Sequence, residues 1–548
     1  RMGCRWSSCP DSRIVDTLYG KVQGRKLIHE GEKQVDAFQG IPFAKPPIGE
    51  LRFKKPEPPE GWHGVKETKK FSKSAAQDPI FSLFRFLSST SEDCLYLNVF
   101  TPCWKPPPEG FPVMVFIHGG GFVVGDATAY GDINICKHIV TRDVIFITIQ
   151  YRMSYLGFMT TDDEECRGNL GLWDQTAALR WVNENIEAFG GDKNNVTLLG
   201  QSAGGISTDL LHLSPHSTDL FHKAIPMAGN AEMRMATHRS LPQQCRNKAA
   251  RLGITDCKSS KELLEKLRTV PAKKLTVHPI KMDSDKNNDF ETVPYIDGDF
   301  FPAPLDELRK RATPKPIMTG VTKEEGILLM YGKKRDEEML DEVIAQATRD
   351  ANDREKLAEE LKTLYVNDVT VGNKQQLVRA IAKVESDYFF NAPTLKLCRK
   401  TLDNQDKPVY LYIFDHYNPT VMGILSWKIP SIREATHGSE LSFLFDKGFF
   451  GRTPKWSVED KAVMESFTEA FTNFAKYGNP NRSDSSIREW LPIDRNNPSR
   501  NYVFTYPKNY MSDEYFEVDQ TFQILRIITY LQGRPAKFVE AVDNHSAM

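Results

Sequence analysis

The sequence predicts an α/β fold built on a large, mostly parallel β-sheet with helices on both faces. Short apolar runs without clean alternation recur along the chain, as strands buried on both faces require. Between them lie segments whose apolar residues recur at three and four, the spacing of a helix with one buried face. The composition, 40% hydrophobic and 26% charged over 548 residues, is that of an ordinary globular chain. Strands alternating with helices give a layered α/β architecture.

Taken in order, the first strand candidate is VMVFIH (113–118), directly after the proline-rich surface loop 105–112. Further candidates are 144–151, 196–200, 223–227, 317–321 and 408–414. The run WDQTAALRWVNENI places Leu179, Trp181, Val182 and Ile186 along one side of a helix, and 206–213 reads as a second helix. EEMLDEVIAQA and DREKLAEELKTLY repeat the pattern, the latter with Leu357, Leu361 and Leu364. These charged helices, from about 334 to 365, are expected to form helical insertions over one end of the sheet, over the active site, their charges on solvated faces.

Bulk properties exclude several classes. Lys plus Arg (71) nearly equals Asp plus Glu (72), so no net field favours nucleic acid. No run of 18 apolar residues suggests a membrane-spanning helix. Nine cysteines are scattered without CxxC or Cys/His metal spacing, which argues against a zinc site or a dense disulfide framework. A reducing, cytoplasmic location is expected; a trimmed secretory chain is the alternative, since it too would lack a signal segment. With translation from Met2, the stretch Met2-Gly3-Cys4-Arg5-Trp6-Ser7 fits the myristoylation pattern, with Cys4 placed for a second acyl chain. Peripheral membrane association through two chains would follow. No internal repeat or long linker divides the rest. A tail (1–12) and one domain (13–540) are therefore expected.

The stretch VTLLGQSAGGISTDLL carries the chemistry. A Gly-x-Ser-x-Gly run alone is weak, but here a strand-like segment precedes Ser202 and a helical one follows. The flanking glycines let strand and helix pack closely around a strained turn. The helix N-terminus aims amide groups at the reacting carbon. A serine hydroxyl needs a base to take its proton, and the chemistry needs donors for an oxyanion. FIHGGGF supplies such donors in Gly119, Gly120 and Gly121, directly after a strand. For the base, His416, His437 and His545 follow a suitable acid. His437 is preferred because it sits in a loop beside Gly438, whereas His545 is in the terminal tail and His416 ends a strand. For the acid, IMTGVTKEEG offers Glu324 and Glu325, which spacing alone does not separate.

With these residues in view, the chain resembles the type-B carboxylesterase and cholinesterase family of α/β-hydrolases, over about residues 14 to 505. The resemblance is carried by GIPFAKPPIGELRF (40–53), SEDCLYLNVF (91–100), HGGGF (118–122), GNLGLWDQ (168–175), FGGDKNNVTLLGQSAGG (189–205), GVTKEEG (320–326) and THGSEL (436–441). It implies Ser202 as nucleophile, His437 as base, Glu325 as acid and an oxyanion hole from the amides of Gly120, Gly121 and Ala203. It also implies hydrolysis of a small-molecule ester without metal or organic cofactor. An acyltransferase would use the same residues. A non-catalytic binding relative would be expected to lack the serine.

The sequence departs from the family pattern at several positions. Gln201 stands where many members carry Glu, and Ala228 where many carry a serine that supports the acid. Cys94 lacks its usual disulfide partner, the position reading Asp78, and Cys257 faces Lys266 rather than a cysteine. No tryptophan lies between Trp62 and Trp104, where a cation–π site for choline would fall. Phe81, Phe84 and Phe86 stand there instead, which favours an apolar acyl or alcohol group. Asn195 and Asn481 head glycosylation sequons.

Overall fold

The computed structural model describes residues 9–516, apart from 29–32, 79–88, 279–290, 367–371, 423–428, 430–431, 449–452, 483–488 and positions 332, 350 and 352. Gly3, Cys4, Phe81, Phe84, Phe86 and His545 lie outside the described residues.

The main sheet contains β1 (Asp11–Thr17), β2 (Gly20–Ile28), β3 (Val35–Pro42), β4 (Tyr96–Pro102), β5 (Phe111–Ile117) and β6 (Ile145–Ile149). It continues with β7 (Gly191–Gln201), β8 (Lys223–Met227), β9 (Ile317–Thr322), β10 (Val409–Phe414), β11 (Asn501–Phe504) and β12 (Tyr510–Ser512). Their spatial order is β1-β2-β3-β4-β6-β5-β7-β8-β9-β10-β11-β12, and a short strand, Val65–Glu67, pairs with β2. From β6 to β11 every neighbouring pair is parallel. The β1–β4 wing and β12 are antiparallel.

All six strand candidates lie in the parallel centre. β7 begins five residues earlier than its apolar run, at Gly191, because its register slips between Gly191 and Val196. The antiparallel wing has no counterpart in the apolar pattern. Its strands bury charged residues that find a partner nearer the surface: the buried Arg25 reaches Asp132 at 2.8 Å, and Arg13 reaches the buried Asp36 at 3.0 Å. Such burial is tolerable only when partners meet across the fold, so the pattern reads as polar until those partners are known.

The helices that cover the sheet and its carboxyl end include α1 (Leu170–Asn185), α2 (Ala203–Leu213), α3 (Glu337–Ala347), α4 (Arg354–Val366), α5 (Lys374–Ser386), α6 (Ala392–Asn404) and α7 (Val458–Tyr477). Alternate residues of β5 enter opposite cores. Val113, Val115 and Ile117 pack in the cluster with Leu179 and Trp181 of α1 and Ile206 and Leu210 of α2. Met114 and Phe116 pack in the cluster with Phe467, Phe471 and Phe474 of α7. A sheet covered on both faces explains why these strands show no alternation. Ile186 falls just past α1, in a 3₁₀ turn (Ile186–Phe189). α3, α4 and α5 pack together, and α5 lies against the turn Glu325–Ile327 just past β9. They therefore sit at the carboxyl end of the parallel strands, where such folds place their sites. Among the described residues, no helix is long and apolar enough to cross a membrane.

Candidate active site

Ser202 occupies the single residue between β7 and α2, with φ 58° and ψ −125°. A side-chain-bearing residue held there costs of order 1–3 kcal/mol and persists only when its surroundings impose it. Two backbone bonds do so: Ser202 N–H donates to Met227 O at 2.9 Å, and Ile206 N–H donates to Ser202 O at 2.9 Å. Close packing fixes the rest. A β-carbon on Gly204 would stand 2.1 Å from Ile117 O, and one on Gly229 2.0 Å from Ser202 O. The turn is therefore compatible only with glycine at those points. Ser202 itself remains half-exposed, so its hydroxyl is reachable.

Glu325 and His437 arrive from different elements. Glu325 follows β9, is fully buried, and accepts the Thr322 N–H at 2.5 Å through Oε1. Its Oε2 lies 2.6 Å from His437 Nδ1. A carboxylate accepts, so Nδ1 carries a proton, and in the neutral imidazole Nε2 then presents a lone pair. The Phe390 ring packs on the imidazole with centroids 4.6 Å apart. Phe390 belongs to a π-turn (Asp387–Asn391) joining α5 to α6, a backbone irregularity that often marks functional positions.

The glycine loop leaves the end of β5. Gly120 and Gly121 adopt φ 115° and 59°, and the Val123 and Val124 amides close a turn onto Gly120 O at 3.1 and 3.0 Å. Behind it, the Tyr151 hydroxyl donates to His118 O at 3.0 Å while the two rings stack. Among the described residues, the amides of Gly120, Gly121 and Ala203 donate no hydrogen bond within the chain. Ala203 is the first residue of α2, where orphan amides and the helix dipole favour negative charge.

The Carboxylesterase family model matches residues 11–523. The chain belongs to the carboxylesterase family. It is accordingly a carboxylic ester hydrolase with the α/β-hydrolase fold. It is 37% identical to Esterase cest-33 of Caenorhabditis elegans over 526 residues, 91% of each chain. Over 530 residues it is 32% identical to the medium-chain fatty acyl-CoA hydrolase precursor of Anas platyrhynchos, covering 92% of this chain and 88% of the relative. Against Carboxylesterase 1C of Rattus norvegicus the identity is 33% over 512 residues, 89% of each.

In this carboxylesterase the two adjacent acids, Glu324 and Glu325, have separate environments. Glu325 faces the imidazole. Glu324 instead lies near Ser386 and Asp387, and burial together with the Asp387 charge pushes its carboxyl up to about 8. His416 bonds Asp460 at 2.9 Å, beside the capping box that starts α7, and is tied up there. Sequence reasoning missed Glu440, although it lies within the THGSEL run. It is buried, neither oxygen has a hydrogen-bond partner among the described residues, and burial with the nearby Glu325 charge holds it well above the carboxylate range. Burial and the Glu325 charge therefore both disfavour the ionised form of Glu440. The Tyr412 hydroxyl is likewise buried without a partner among the described residues.

Gln201 does more than remove a charge: its amide nitrogen lies 3.3 Å from His437 Nε2. The Asn195 sequon is engaged on both sides, with Nδ2 donating to Lys476 O at 3.3 Å and Oδ1 accepting from Lys223. The Asn481 amide donates to Asn479 and to Trp490 O, both at 2.8 Å.

Proposed function

We propose that this carboxylesterase cleaves esters with apolar acyl or alcohol groups through an acyl-enzyme on Ser202. The observation that carries the reading is the Glu325–His437 bond of 2.6 Å, which leaves Nε2 as a base at the end of the strand bearing Ser202. Ser202 Oγ attacks the ester carbonyl while its proton passes to Nε2. The oxyanion forms toward the free amides of Gly120, Gly121 and Ala203. Collapse expels the alcohol, which takes the proton from Nε2. Water then attacks the acyl-serine by the same route and releases the acid. Glu325 holds the tautomer and stabilises the imidazolium throughout. The name of the Anas platyrhynchos relative, a fatty acyl-CoA hydrolase, supports an apolar acyl group.

Stopped-flow turnover of 4-nitrophenyl acetate and butyrate tests this. A burst of about one equivalent of nitrophenol per chain is expected. S202A should abolish it and lower kcat by roughly 10⁴–10⁶. No burst, with wild type and S202A alike, would remove Ser202 from the chemistry. A full burst followed by negligible turnover would show an acyl acceptor other than water, and hence a transferase.

A further inference from the structure

The nitrogen that must take the serine proton already has a donor. Because His437 Nδ1–H is committed to Glu325, Nε2 has only a lone pair to offer. The Gln201 amide must therefore turn its N–H₂ toward Nε2, and that nitrogen stands 3.3 Å away. The other end of the amide lies beside the glycine loop: a β-carbon on Gly119 would come within 3.1 Å of Gln201 Oε1. Gln201 is 5% exposed and leads directly into Ser202, so its backbone is fixed by β7 and the strained turn. Glu325 bonds the imidazole directly; Glu440, Tyr412 and Tyr515 interact electrostatically with Glu325, and Asp387 with Glu324.

We infer that Gln201 is a positioning residue that parks the His437 base in its neutral, accepting form and competes with Ser202 for the Nε2 lone pair. The inference rests on the acyl-enzyme reading. The Gln201–Nε2 bond exists in the free enzyme and must be given up as Nε2 takes the serine proton. An interaction stronger in the ground state than in the transition state slows the step. The amide also disfavours the imidazolium, to which an N–H donor offers nothing.

The test uses the full chain with Q201L and Q201E. Q201L keeps the size and deletes the donor. Its kcat/KM for 4-nitrophenyl butyrate should rise roughly three- to tenfold, the size of one net hydrogen bond. Its acid limb should move to higher pH by about half to one unit. Q201E replaces the donor by an acceptor that favours the imidazolium, so its acid limb should move further up. NMR titration of ¹⁵N-histidine-labelled enzyme without substrate should show the same order of midpoints for His437. A fall in kcat/KM for Q201L with an unmoved limb would assign Gln201 to packing alone and overturn the inference. So would a Q201L indistinguishable from wild type. If Q201L does not fold, Q201M carries the same expectations. The NMR midpoints do not depend on ester turnover, so failure of the inference is separable from failure of the Ser202 burst.

Discussion

At the scale of single residues, the acids around His437 divide by what surrounds them. Glu325 is fully buried with both oxygens bonded, one by a backbone amide and the other by the imidazole. Glu440 has no such partners among the described residues, and an ionised carboxylate buried without them is prohibitively costly. E440Q, a neutral copy of a protonated acid, should therefore keep the pH–rate profile in place and kcat within about threefold. A profile displaced by a unit or more would show that Glu440 is ionised. Glu324 gives a signed expectation for stability. Its carboxyl is pushed from 4.5 up to about 8, so the folded state holds a proton that the unfolded chain has released. Stability should fall as pH rises from 4.5 to 8, then level off. In E324Q that slope should be shallower, read as Tm against pH. The serine, the glycine loop and His437 were legible because each is a local motif with a fixed backbone consequence. The choice between Glu324 and Glu325, and the role of Glu440, depend on partners more than 50 residues away, such as Ser386 and His437.

At the scale of elements, ion pairs join apolar packing in tying helices together beside the sheet. Glu232, just after β8, reaches Lys396 and Lys400 of α6 at 3.1 and 2.8 Å, and Arg309 of the helix Leu305–Arg311 at 3.4 Å. Burial alone would raise its carboxyl, yet Arg309, Lys396 and Lys400 pull it down to about 2. The stabilisation is present above 4.5 and is lost as pH falls toward 2. E232Q should cost about 2–3 kcal/mol near neutral pH, less than a fully enclosed pair because the lysines are partly solvated. The gap from wild type in chemical denaturation should close on acidification. A constant gap from pH 7 to 3 would mean that Glu232 acts through shape rather than charge. The same physics set the limits of the sequence reading. β5 to β10 announced themselves because both faces are apolar. β1 to β4 stayed hidden because Arg25 and Asp36 look like surface residues until Asp132 and Arg13 are seen beside them.

At the scale of the whole molecule, the question is whether any covalent bridge helps the sheet and its two packed faces. Seven of the described cysteines, Cys94, Cys103, Cys136, Cys166, Cys245, Cys257 and Cys398, form no disulfide among the described residues, and five of them, Cys94, Cys136, Cys166, Cys245 and Cys398, are buried at separate places in the core. Burial pushes the thiols of Cys166, Cys245 and Cys398 to about 12 and those of Cys94 and Cys136 upward as well. A thiol that does not ionise is neither nucleophile nor ready disulfide partner. Cys103 is partly exposed, but burial and Asp36 raise it to about 12, leaving Cys257 as an accessible candidate among these seven. Of these seven, Cys257 should label first with a thiol reagent near neutral pH in the native protein, and the buried five only slowly. In denaturant without reductant, at least seven thiols per chain should titrate. A native bridge is worth about 2–5 kcal/mol, enough to move Tm visibly when reduced. Added reductant should leave Tm unchanged here. A drop of several degrees, or fewer than seven thiols in denaturant, would show that a bridge shares the work of holding this sheet together.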